Sequence, residues 1–138
     1  FAIFQCLMKY IHRSISEAQK CAYVKTLFGR KRYIEEINSE NKNQREFASR
    51  VAVNMPIQGT AAEIIKLAMI KIHNLLKKRN LQSRMILQVH DELLFEIPGG
   101  EQYLGEEIRA IMENIYKLNV PLKVDVQRGK NYLEMEKI

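Results

Sequence analysis

Several things are scarce or missing from this chain, and each removes a class of function. There are only two cysteines, Cys6 and Cys21, set in long helical patterns without metal-type spacing. That excludes a disulfide framework and predicts buried, reduced thiols in a cytosolic protein. No apolar run reaches membrane-spanning length and no signal-peptide pattern is present, so neither a membrane anchor nor export is expected. Internal repeats and low-complexity tracts are missing as well. Aspartate is confined to Asp91 and Asp125. A first methionine is also lacking: the chain opens on Phe1 in mid-pattern and reads as a piece of a larger protein.

What remains has an ordinary globular balance. Hydrophobic residues make up 46% of the chain and charged ones 28%, so disorder is not expected. A length of 138 residues suits one domain or a large piece of one, enough to bury a core. The net charge of +6 favours an anionic partner. Phe1, Phe4, Leu7, Met8, Ile11, Ile15, Ala18 and Ala22 recur at helical spacing, with Lys9, Arg13, Glu17 and Lys20 opposite. Tyr23 to Leu27 and Lys31 to Ile34 suit short strands around Gly29-Arg30, and Asn38 to Asn43 is loop-like.

Gln44 to Asn54 predicts a helix turning Phe47, Val51 and Ala48 inward, and Pro56 interrupts the pattern. A second helix is expected from Thr60, where Glu63 completes a capping box. Its stripe runs through Ala61, Ile64, Ile65, Ala68, Ile72, Leu75 and Leu76 to a stop at Asn80. Leu104, Ile108, Ile111, Met112 and Ile115 mark a further helix over Glu101 to Lys117. Leu122, Val124 and Val126 alternate with Lys123, Asp125 and Gln127 as in a half-buried strand. The sum is an α+β fold, a small antiparallel sheet packed against long helices.

The stretch Ser83 to Pro98, SRMILQVHDELLFEIP, stands apart. Two apolar runs, Met85 to Val89 and Leu93 to Ile97, flank His90, Asp91 and Glu92, and Pro98-Gly99-Gly100 closes the second. This predicts a β-hairpin with two adjacent carboxylates at its tip. Two-residue hairpin turns favour Asn-Gly or Asp-Gly, because positive φ is cheap there. Asp91-Glu92 instead sets like charges side by side. A solvated acidic turn would account for a lone Asp-Glu pair. At the end of a dry hairpin, next to His90 and Gln88, the pair is also a candidate site for a hard cation such as Mg²⁺.

Two further groups face the question of an anionic partner. Arg30, Lys31 and Arg32 beside Tyr33 form a candidate phosphate grip, and a solvated basic turn explains them equally well. Arg50, Asn54 and Gln58 are spaced by four and would share one face of an unbroken helix; Pro56 puts Gln58 in doubt. All three can donate to minor-groove acceptors common to every Watson–Crick pair, which checks the shape of a pair without reading it. Three exposed polar side chains near a helix end is the simpler account of these residues alone.

RVAVNMPIQGTAAEIIKLAM, followed by LQVHDELLFEIP, resembles the C-terminal palm of family A DNA polymerases, of the bacterial DNA polymerase I type. Upstream, YVKTLFGRKRYI resembles the family's YVxTLxGRRRY segment, so the likeness runs along essentially the whole chain. Departures are small: Glu35 stands where proline is usual, Ala22 where glycine is favoured, and Tyr132 where tryptophan is frequent. The resemblance implies one fragment of a polymerase domain over residues 1–138, with the helix over 1–22 adjoining the fingers. It implies that Asp91 ligates a catalytic Mg²⁺ pair, with Glu92 auxiliary. Arg50, Asn54, Gln58 and His90 would hold primer-template DNA near the primer terminus, with Gln88 beside them. Lys66 and the cluster Arg30, Lys31 and Arg32 would serve the DNA backbone.

The implied chemistry is in-line attack of a primer 3′-hydroxyl on a nucleotide α-phosphate, in DNA replication and repair. Bridging two ions takes carboxylates from more than one strand; Asp125 matches no metal ligand of the family, and the other essential aspartate belongs to an earlier palm strand outside this chain. The deoxynucleoside triphosphate would likewise be bound mainly by segments elsewhere. The piece alone is expected to be inactive and to self-associate through an unpaired apolar strand edge. The parent would be cytoplasmic, in a bacterium, and associated with the nucleoid. The competing reading is a non-catalytic nucleic-acid-binding module in which Asp91-Glu92 is only a turn.

Overall fold

The computed structural model describes residues 4–138, so Phe1, expected on the first helix, lies outside the described residues. The elements are α1 (Gln5–Cys21), β1 (Tyr23–Lys25), β2 (Lys31–Tyr33), α2 (Lys42–Lys78), β3 (Arg84–Val89), β4 (Glu92–Glu96), α3 (Leu104–Glu113), β5 (Gln127–Arg128) and β6 (Glu136–Lys137). A short 3-10 stretch, Glu35–Asn38, takes the start of the expected loop before α2. The α+β expectation holds, but the strands among the described residues form three separate two-stranded antiparallel sheets, β1-β2, β3-β4 and β5-β6. The chain divides into two compact units, one reaching to Glu63 and the other starting at Ile64.

In the first unit, Ala18, Val24, Ile34, Ile37, Ala48 and Ala52 form the core, with Val51 and Met55 packed against it. Three of these six buried residues are alanines, so little side-chain volume fills this core. Phe47, expected to face inward, is instead 59% exposed, because Ala48 and Ala52 occupy the seam. Cys6 and Cys21 are free but exposed, not buried. Ala18 is the buried residue of α1, so this helix seals only a narrow line and both thiols fall beside it. The helix ends on Ala22, which adopts the left-handed conformation (φ 58°) and donates its N–H to the carbonyl of Ala18.

The expected break at Pro56 does not occur. The helix α2 runs from Lys42 to Lys78 with the proline inside it. Proline removes one N–H, so the Ala52 carbonyl loses its helical donor. Tertiary contacts outweigh that loss. Ala52 is buried, Met55 packs on the core, and the Tyr10 hydroxyl donates to the Val53 carbonyl at 3.0 Å. Thr60 is consequently mid-helix and caps nothing: its hydroxyl donates to the Pro56 carbonyl and accepts the Leu27 N–H.

In the second unit, Ala68, Ile72 and Leu76 of α2 bury against Leu104 and Ile108 of α3. Met85, Leu93, Phe95 and Ile97 of the β3-β4 hairpin cover the same cluster. The stop at Asn80 holds: it has φ 51°, and the Leu81 N–H reaches back to the Leu76 carbonyl at 3.1 Å. The helix α3 is shorter than the expected Glu101 to Lys117. Glu101 serves the preceding loop instead, accepting the N–H groups of Gln82 (3.0 Å) and Ser83 (2.9 Å) and the Ser83 hydroxyl (2.6 Å). These bonds hold its carboxyl below the usual carboxylate range, the Ser83 hydroxyl contributing most. At the other end, Asn114 closes the helix on the Ala110 carbonyl.

The alternation at Leu122 to Gln127 survives in burial but not in pairing. Leu122, Val124 and Val126 are half-buried and Lys123, Asp125 and Gln127 exposed. Only Gln127 and Arg128 join a ladder, opposite Lys137 and Glu136. The Val124 N–H is taken by the Glu113 carboxylate at 3.0 Å, and no strand among the described residues lies beside it.

Candidate functional site

The first unit carries Arg50, Asn54 and Gln58 and the cluster Arg30, Lys31 and Arg32. Because α2 is continuous, Arg50, Asn54 and Gln58 lie on one face, each step turning by about 40° and rising about 6 Å. All three are exposed. The doubt that Pro56 cast on Gln58 is removed by the unbroken helix. Phe47 shares this face, and the Arg50 guanidinium sits over its ring at 5.9 Å.

The basic cluster is fixed to the same helix. Strands β1 and β2 pair Tyr23 with Tyr33, Val24 with Arg32 and Lys25 with Lys31. Thr26, 3% exposed, closes the loop. Its N–H donates to the Arg30 carbonyl and its hydroxyl accepts the Arg30 N–H. The loop then docks on α2, where the Leu27 N–H donates to the Thr60 hydroxyl at 3.0 Å. Gly59 makes this approach possible, since a Cβ there would meet Thr26 Cγ2 at 2.6 Å. Arg30, Lys31 and Arg32 all project to solvent, and Lys31 Nζ stands 4.5 Å from the centre of the Tyr23 ring. Thr26 and Gly59 were not singled out from sequence, and Thr60 was read only as a helix cap. A glycine inside a helical pattern is the signal that would have found them.

The second unit carries Lys66, exposed on α2, and the carboxylate hairpin. Here the turn is His90-Asp91, and Glu92 opens β4 opposite Val89. The expected Asp91-Glu92 tip is thus shifted by one residue. His90 supplies the positive φ (53°) that a two-residue turn requires. Its carbonyl accepts the Gln88 side-chain amide at 3.0 Å. A register shift between Met85 and Leu87 spends Ile86 as a bulge. Past the bulge, Leu87 and Val89 share the face of Glu92 and Leu94, opposite the core-facing Met85, Leu93 and Phe95.

The side chains of Asp91 and Glu92 are exposed and make no ion pair or hydrogen bond among the described residues. Nor do the described residues hold a group of three or more metal-ligating side chains. Asp91 and Glu92 offer hard oxygen donors and fit part of a Mg²⁺ site. Asp125 is engaged elsewhere: Lys137 Nζ lies 2.6 Å away and holds its carboxyl below the usual range. No helix among the described residues is long and apolar enough to cross a membrane.

The family model for DNA polymerase family A matches residues 1–134, and the chain belongs to that family. It is 48% identical over 135 residues to DNA polymerase I of Caldicellulosiruptor bescii, covering 97% of this chain and 16% of that protein. With Bacillus subtilis DNA polymerase I the identity is 47% over 132 residues, 95% of this chain and 15% of the relative. Among solved structures it resembles the polymerase domain of Pol1 from M. smegmatis in complex with DNA primer-template and dNTP. That match has a TM-score of 0.84 at 47% identity and covers 87% of this chain and 21% of the other. The chain therefore spans about a sixth of the curated relatives it matches.

Proposed function

We propose that these residues are the C-terminal palm segment of a DNA-directed DNA polymerase, one that extends a primer with deoxynucleoside triphosphates in DNA replication and repair. The observation that carries the reading is the uninterrupted row Arg50, Asn54 and Gln58 on α2, exposed and ready to donate to the minor groove. The M. smegmatis relative binds DNA primer-template and dNTP, which supports the same partners here. His90 and Gln88 are assigned to the primer end of the duplex. Arg30, Lys31, Arg32 and Lys66 are assigned to backbone phosphates.

Asp91, with Glu92 auxiliary, would hold part of a divalent metal site completed by an aspartate outside this chain. Two bound Mg²⁺ ions would activate the attacking hydroxyl and stabilise the leaving pyrophosphate. The protein residues present do the rest: the donors of α2 align the primer terminus, and the basic hairpin offsets phosphate charge. The enzyme is placed in the bacterial cytoplasm at the nucleoid.

Primer extension and duplex binding by the intact polymerase test this. Replacing Arg50, Asn54 or Gln58 with alanine should weaken extension similarly for all four terminal base pairs, and duplex affinity should fall steeply with salt. Strong dependence on the terminal pair would refute the minor-groove role, and a flat salt response would remove the basic hairpin from the interface.

A further inference from the structure

Phe47 is a large aromatic that the core does not use. It is 59% exposed and lies one turn before Arg50 on the face that carries Asn54 and Gln58. The Arg50 guanidinium rests over its ring at 5.9 Å, within cation–π range. A competing attractor stands on the other side. Arg50 borders an open depression that also contains Glu46, four residues earlier on α2. An arginine and a glutamate at that spacing attract one another on a helix surface. Glu46 is only loosely occupied, with Lys42 Nζ 3.8 Å away and the carboxylate side chain 55% exposed.

We propose that Phe47 is a positioning residue for duplex binding: its ring holds the Arg50 guanidinium on the Asn54–Gln58 face and keeps it from collapsing onto Glu46. The inference rests on the reading of that face as the primer-template interface. It adds a residue whose chemistry is aromatic, not hydrogen-bonding. Without the ring, the guanidinium would divide its time between the duplex face and the Glu46 carboxylate. Affinity for DNA would fall in proportion to the fraction of time it is lost.

The test is equilibrium binding of a primer-template duplex to the intact polymerase, at fixed salt and with thermal midpoints recorded for every variant. Phe47→Ala should weaken binding about threefold, the scale of a surface cation–π contact converted to an equilibrium constant. Phe47→Tyr should restore the affinity, since it keeps the ring. Glu46→Gln should raise affinity more in the Phe47→Ala background than in the wild type, which neither a merely structural role nor a general loss of negative charge would allow. In an Arg50→Ala background, Phe47→Ala should cost nothing further. An equal loss in that background, or no loss from Phe47→Ala alone, overturns the proposal while leaving the interface reading intact. If Arg50→Ala itself leaves duplex binding unchanged, the interface reading fails and the proposal falls with it.

Discussion

At Asp91 and Glu92 two adjacent carboxylates have different surroundings. Asp91 belongs to the turn, whereas Glu92 is the first paired residue of β4 and points to the face of Val89. Asparagine at position 91 keeps the shape but removes charge that would offset a divalent cation. In the intact polymerase, Asp91→Asn should lose nearly all turnover, on the order of a hundredfold or more, while duplex affinity is retained or rises. Glu92→Gln should cost less. Single-turnover incorporation and a DNA titration on both variants decide it, and a greater loss from Glu92→Gln would overturn the assignment. Ala22 offers a separate test of stability. It holds a positive φ of 58° at the end of α1, where a side chain is strained. Ala22→Gly should stabilise the fold by about 0.5–1 kcal/mol, read as a raised urea midpoint.

The elements differ in how far the sequence discloses them. Stripes such as Ile65–Ala68–Ile72–Leu76 were legible because one buried face fixes a helical period. Pro56 was misleading, since its local penalty is known from sequence whereas the core packing of Ala52 and the Tyr10 bond that outweigh it are not local. The bulge in the hairpin left no mark in the sequence. Met85, Leu87 and Val89 look like one alternating face, and only the bulge at Ile86 sends the last two to the opposite side. Glu101 is another such case, read as the start of a helix and found binding the loop before β3. Its folded carboxyl titrates below its unfolded value, so its contribution is complete above the ordinary glutamate pKa of about 4.3 and is lost as pH falls through the depressed value. Acid unfolding should therefore begin at higher pH in Glu101→Gln only if other groups also titrate. The direct expectation is a lower urea midpoint at neutral pH and a smaller difference from the wild type in strong acid.

For the whole molecule, the family was legible because its motifs are short, ordered and local; the architecture was less so. The isolated 138-residue chain is expected to show no template-directed incorporation with Mg²⁺ and dNTPs, because on the proposed reading its carboxylate hairpin would supply only part of a metal site. Incorporation by the purified chain would refute that. Ile86 (57%), Leu87 (50%) and Val89 (36%) leave an apolar strand open, so the same chain should self-associate. A monodisperse monomer in light scattering at high concentration would count against it. The separate cores matter in another way. Each unit has its own sealed cluster, and α2 is the one element that runs through both. Heat need not melt the two together: on calorimetry the isolated chain should show a van't Hoff enthalpy below the measured heat, the mark of two blocks that each melt cooperatively on their own.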